Sequence, residues 1–325
     1  MTKESVYQAV TDRIIDAIKQ GEVAPWRKPW KGGGPVQIRN GRPYRGINIF
    51  LLALAGYSDP RWGTFKAMKE AAVAKARGEG RTIIEKSVKR GKYTKTHYFE
   101  VVDGQEVFFS GGVRKGEKST SIILWKPVKK KSKSGEEEDE GYLLLKSYLV
   151  FNAEQCDEMP ELPGAREHEP IETAERIANG FVGPTVDFGG DRAFYSPTLD
   201  FVKIPIPENF DSAEAYYSTL YHELVHSTGH ESRINRLEST QFGSGPYAKE
   251  ELVAEMGAAM LCGMAGIDNL DQSASYVSGW LEKLESDPKL VVQAASLANK
   301  AADLILGESF EDSQDPENVT EAVAA

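Results

Sequence analysis

The five residues HELVH at 222–226 constrain this chain more than any other stretch. Histidines four positions apart stand side by side, about 5–6 Å between Cβ atoms, only on a helix. The spacing therefore demands a helix and offers two imidazoles, His222 and His226, to one divalent cation. The preceding AEAYYSTLY supplies that helix, with Tyr216, Leu220 and Val225 as an inward face. Glu223, between the histidines, sits where a carboxylate takes a proton from water. Three of the five histidines in the chain (His222, His226 and His230) fall within nine residues.

An open hydrolytic zinc site needs a third protein ligand. The continuation HExxHxxGxxH fits at Gly229 and fails at its last position, which is Ser232. Gly229 is expected to end the helix and turn His230 away, leaving His230 beside the ligands or at the surface. The other scheme takes a glutamate from a following helix. YAKEELVAEMGAAML offers Glu250, Glu251 and Glu255, with small Ala254, Gly257 and Ala258 allowing close approach. Glu251 is the expected ligand, and Glu255, on the same face one turn on, the expected partner of a ligand histidine. The strand AFYSPTLDFVKIP offers an edge for an extended peptide, and its Tyr195 a donor to an oxyanion. Zn²⁺ is the expected cofactor, with Mn²⁺, Ni²⁺ or Co²⁺ also accepted by a His/His/Glu set.

Charge separates the two halves of the chain. Residues 1–150 carry 29 Lys+Arg against 17 Asp+Glu, a net +12; the remainder carries 10 against 32, a net −22. Such asymmetry points to a polyanion as partner of the first half. There, cations interleave with aromatics: Trp26, Arg27, Lys28, Trp30 and Lys31; Tyr44, Arg45 and Asn48 in GRPYRGIN; Arg61, Trp62 and Lys66. Cations follow phosphates and aromatic faces stack unpaired bases, which favours single-stranded DNA. No zinc finger or recognition helix suggests sequence-specific duplex reading.

The remaining pattern gives an α+β chain of two domains. Residues 5–20 repeat Val6, Val10, Ile14 and Ile18 as an amphipathic helix. GINIFLLALAG at 46–56 is apolar, Thr64–Ala76 is helical, and 79–125 alternate as strands. KKKSKSGEEEDE at 129–140 has no apolar residue to bury and is expected to be a solvated loop. Expected boundaries are 1–157 for a mixed α+β domain, 158–170 for a Pro-rich linker, 171–307 for a mostly helical domain with a small sheet, and 308–325 for an acidic frayed tail. In the second domain, helices are expected at 211–228, 248–265, 272–285 and 288–306. No apolar run approaches the ~18 residues of a membrane span, the N-terminus lacks an apolar signal segment, and two cysteines make no disulfide framework. A cytoplasmic protein is expected.

These residues resemble the ArdC antirestriction proteins of conjugative plasmids and their phage and plasmid relatives. The resemblance rests on VTDRIIDAIKQGEVAPWRKPW, GRPYRGIN, RWGTFKA, VRKGEKST and LVFNAEQC in the first half. In the second it rests on FYSPTLDFVKIP, YYSTLYHELVHSTGHESRINR and YAKEELVAEMGAAMLC. It implies an N-terminal domain that binds single-stranded DNA, a C-terminal zincin-like metallopeptidase domain, and protection of incoming plasmid DNA from host restriction. It also implies His222 and His226 as ligands, Glu223 as acid/base and Glu251 as third ligand. Between Ala71 and Ser110 the chain departs from the usual pattern with extra strand-forming residues.

Three functions stay open on sequence alone. One is a DNA-tethered zinc peptidase acting on DNA-bound proteins such as restriction enzymes. The second is a strand-coating protector whose metal is structural. The third is an acidic adaptor that binds restriction enzymes directly.

Overall fold

The computed structural model describes residues 3–20, 34–90, 93–128, 142–162, 170–237, 245–267 and 281–307. In chain order the elements are α1 (Lys3–Lys19), β1 (Val36–Gln37), α2 (Ile47–Ala53), β2 (Arg61–Gly63), α3 (Phe65–Gly78), β3 (Ile83–Arg90), β4 (Tyr93–Val102), β5 (Gln105–Phe108), β6 (Gly112–Val113), β7 (Thr120–Val128), β8 (Tyr142–Asn152), β9 (Cys156–Asp157), α4 (Pro170–Gly180), β10 (Thr185–Phe188), β11 (Phe194–Ser196), β12 (Phe201–Ile204), α5 (Ala213–Thr228), α6 (Gly245–Ala265) and α7 (Leu290–Leu306). The fold is mixed α+β in two compact units. Residues 281–286 are helical; the rest of the helix expected at 272–285, the charged run 129–140 and the acidic tail lie outside the described residues.

One unit holds residues 35–43 and 57–162. Its main sheet has the order β1-β2-β8-β7, β1 parallel to β2 and the others antiparallel. Trp62 is buried in β2. At Gly63 a Cβ would come within 2.7 Å of the Ile38 side chain, so only glycine lets the chain pass there. Thr64 caps α3 by accepting from the Ala67 amide. Antiparallel β3-β4-β5 form a separate small sheet. Ile83 and Phe109 pack with Ala72, Val73 and Ala76 of α3 into a buried cluster.

The other unit gathers α1, α2 and the described residues from 170 onward. It therefore crosses the linear boundary expected at 157: α1 and α2 belong with the C-terminal helices. Burial explains this. The stripe Val6, Val10, Ile14 and Ile18 is buried, as are Ile47–Leu52 of α2, and both need an apolar partner. Thr11 Oγ1 donates to the Pro288 carbonyl at 2.7 Å, and the Gly46 amide donates to Asn299 Oδ1 at 2.9 Å. At the centre runs α6, packed against α5 and α7. Leu252, Val253, Ala254, Met256 and Leu261 are fully buried on it, so it is apolar on nearly every side. Parallel β10 and β12 and antiparallel β11 form a three-stranded sheet with β12 in the middle. Among the described residues no helix is long and apolar enough to cross a membrane.

Candidate metal centre

Helix α5 begins at Ser212, whose side chain accepts from the Ala215 amide, and runs through HELVH to Gly229. Tyr216, Leu220, Leu224 and Val225 are buried, which fixes the rotation of the helix and turns His222 and His226 to one side. Gly257 of α6 lies against Val225. A Cβ on it would meet the Val225 methyls at 2.8 and 2.9 Å, so glycine sets the close approach of the two helices. That approach brings Glu251 to the histidines.

Three donors converge. His222 Nε2 and His226 Nε2 are 3.1 Å apart. Glu251 Oε2 is 3.6 Å from the first and Oε1 is 3.6 Å from the second. A tetrahedral zinc with bonds near 2.0–2.1 Å requires donor separations of about 3.3 Å. The observed triangle matches, and His222, His226 and Glu251 form the one such donor group among the described residues. At 3.1 Å the two ring nitrogens can share one proton, and a bound cation would take that proton's place. The electrostatics of His222 agree: burial opposes its charge, but the hydrogen bond to Glu251 and the charges of Glu223, Glu255 and Glu251 overcome it and raise its pKa to about 9. The surroundings favour a cation, and the donor set suits a borderline divalent metal.

A second layer orients the first. His226 Nδ1 lies 3.1 Å from Glu250 Oε1. With the proton on Nδ1, donated to the carboxylate, Nε2 is left as the free lone pair. Glu250 is held in turn by Arg236, whose Nε and Nη2 donate to its two oxygens at 2.9 and 2.8 Å. Arg236 also donates to the Val225 carbonyl and Thr228 Oγ1 at 2.5 Å each, and its side chain is 6% exposed. Burial opposes the Glu250 charge, yet hydrogen bonds from His226 and Arg236 hold the carboxyl below its ordinary pKa. Sequence reasoning expected Glu255 to partner a ligand histidine and did not assign Glu250 or Arg236, which hold His226. Glu255 is buried on α6, and its charge acts on His222. Glu223 is buried between the two histidines on α5.

The other expected residues fall elsewhere. His230 Nδ1 sits 2.7 Å from Ser232 Oγ, outside the donor triangle. Tyr195 OH donates to Asp200 Oδ1 at 2.8 Å, and Arg233 Nη2 donates to Tyr195 OH at 3.3 Å. Burial and the Asp200 bond push the phenol pKa well up. Its proton has an acceptor in Asp200. Arg233 also grips Asp200 and the Ser227 carbonyl, tying the β11–β12 turn to the end of α5. In GRPYRGIN, Tyr44 and Asn48 are buried and Arg45 pairs with Asp303 of α7, so the segment anchors the helical unit. The same interleaving of aromatic and cation serves an internal anchor as readily as a stacking face. Lys66 is half-buried on α3. Trp26, Arg27, Lys28 and Trp30 lie outside the described residues.

Comparisons with known proteins divide the chain in sequence order, with α1 and α2 in the first part. Residues 4–151 match the N-terminal domain of anti-restriction factor ArdC, and residues 172–297 match a zincin-like metallopeptidase domain. A crystal structure of the antirestriction ArdC protein from the R388 plasmid, metal-free, shares 34% identity with a TM-score of 0.67 over 92% of this chain and 96% of that one. A Mn(II)-bound structure of the same protein matches with the same identity and TM-score over 93% and 97%. A divalent metal is thus indicated for this fold. The y4eC protein of Sinorhizobium fredii is 32% identical over 93% of this chain and 92% of its own length. Two DNA primases TraC of Escherichia coli are 34% and 32% identical over 98% and 96% of the chain. The chain spans only 28% and 20% of the length of those two primases.

Proposed function

The chain belongs to the ArdC family of antirestriction proteins, and from that premise we propose that it binds single-stranded DNA through its N-terminal region and hydrolyses peptide bonds at the α5–α6 site. The observation that carries the peptidase reading is the triangle of His222, His226 and Glu251 with a carboxylate, Glu223, between the two histidines. A divalent ion bound there, zinc in this proposal, would supply Lewis-acid polarisation of a carbonyl and acidification of water. Glu223 takes the proton of the attacking water on its carboxylate and returns it to the departing amide nitrogen. Glu250 and Arg236 hold His226 in the tautomer that leaves Nε2 free. An extended peptide would lie along β11, an outer strand of its sheet.

The two activities support one another. Tethering to the entering strand raises the local concentration of a DNA-bound protein substrate such as a restriction enzyme. The chain would then work in the cytoplasm of a bacterial cell receiving DNA. The test compares wild type with Glu223→Ala in two assays: binding of a single-stranded oligonucleotide, and survival of incoming plasmid DNA in a restricting host. Intact DNA binding with lost protection is the expected result. Equal protection by the variant would refute the peptidase reading and leave a strand-coating protector.

A further inference from the structure

The three-stranded sheet β3-β4-β5 has two unlike faces. Alternate residues of a strand point to opposite sides. Ile83 and Tyr98 point inward, into the cluster with α3 and Phe109. The registers Ile84↔Phe99, Lys86↔His97 and Phe99↔Phe108 put the alternate set on the outer side. None of that set belongs to the cluster.

The outer face is aromatic, cationic and open. Phe108 is 58% exposed. Its ring meets Phe99 edge to face at 5.9 Å and His97 at 6.3 Å. Lys86 Nζ stands 5.4 Å over the Phe99 ring; Lys69 Nζ of α3, 5.5 Å from the Phe108 ring centre, donates to the Phe109 and Gly111 carbonyls on the inner side. Lys95, opposite Val88 in the register, is exposed on the same side. The one acid on the described part of this face, Glu106, is paired with Lys86.

A surface that had only to be soluble gains nothing from adjacent phenylalanines in water. Planar rings on neighbouring strands, flanked by lysines, match a strand with free base faces and a charged backbone. Duplex DNA hides those base faces in its own stack, so the chemistry selects single strands. We propose that the outer face of β3-β4-β5 is a contact surface for single-stranded DNA. Phe108 and Phe99 stack bases there, and Lys95 meets phosphate. This rests on the single-strand reading above.

The test uses the full chain and a fluorescein-labelled 30-residue oligothymidylate, read by anisotropy at fixed salt. Phe108→Ala is expected to weaken binding about 5- to 150-fold, the worth of one stacked base. Phe99→Ala is expected to behave similarly, and Phe108→Trp to keep binding near wild type. Because Phe108 is exposed, its variants should melt like wild type, which separates lost contact from lost fold. A Phe99→Ala/Phe108→Ala double variant that folds and binds like wild type overturns the proposal alone. A wild type that binds the oligonucleotide no better than its duplex overturns the single-strand reading and the proposal with it.

Discussion

Replacing Glu250 with glutamine tests the layered construction of the metal centre. The change keeps the shape and removes the charge. His226 Nδ1 retains an acceptor at about its present 3.1 Å, but the imidazole loses the anion that makes it a better donor to a metal. Changes in such a partner typically cost 10–100-fold in metal affinity, about 1.4–2.7 kcal/mol. A second cost falls on Arg236, whose buried guanidinium loses its ionic partner. Breaking a buried pair from one side costs about 3–5 kcal/mol at the limit. Arg236 keeps its bonds to Val225 and Thr228, so about 1–3 kcal/mol is expected. Zinc affinity is read by chelator competition, and stability by melting in EDTA, where no metal contributes. Adding Arg236→Met to Glu250→Gln should recover part of the stability and none of the affinity. Zinc binding within twofold of wild type in Glu250→Gln, with a tenfold loss in Glu255→Gln, would refute the assignment and restore Glu255 to that role.

Gly257→Ala should destabilise the protein by about 1–3 kcal/mol through overpacking against Val225. Helix propensity alone would make it stabilising by about 1 kcal/mol, so a raised melting temperature would refute the close-packing account. Cys156 and Cys262 are both free and buried, and burial pushes each thiol from near 9 up to about 12. Both should resist Ellman's reagent at pH 8 until the chain unfolds. Because the folded pKa is the higher one, their contribution to stability is complete below about pH 9 and is lost as pH rises towards 12; unchanged urea midpoints between pH 8.5 and 10.5 would contradict this.

Local periodicity made much of this legible. His222 and His226 share a face because four residues make about one helical turn, and Ala254, Gly257 and Ala258 mark α6 as a helix that others approach closely. The stripe on α1 declares that one face is buried but cannot say against what. Its partner lies in the C-terminal half of the chain, and only long-range packing decides that. Strand alternation in 79–125 was visible, whereas the split into separate sheets depends on pairings such as Trp62↔Asn152, far apart in sequence. Tyr44 reads as part of a nucleic-acid surface because a core aromatic among cations has the same composition; burial separates the two, and composition does not carry burial.

Arg236 was hidden for a different reason. It reaches Glu250 because the chain after Gly229 folds back on α5, with the Ile234 amide on the Thr228 carbonyl and the Arg236 amide on the Gly229 carbonyl. A Cβ at Gly229 would come within 2.7 Å of Leu237, so the glycine that ends the helix also admits the returning loop. Once Arg236 is in place, the doublet Glu250–Glu251 gains a physical reading. Consecutive helical residues point about 100° apart, so two neighbouring acids on α6 are poorly placed to grip one ion together. They can, however, address the two nitrogens of one imidazole: Glu251 stands by His226 Nε2 and Glu250 by Nδ1. An acid doublet at this point on the second helix therefore supplies both a donor and the group that aims its neighbour. His226 and the cation returned by the loop together let the second acid remain charged while buried.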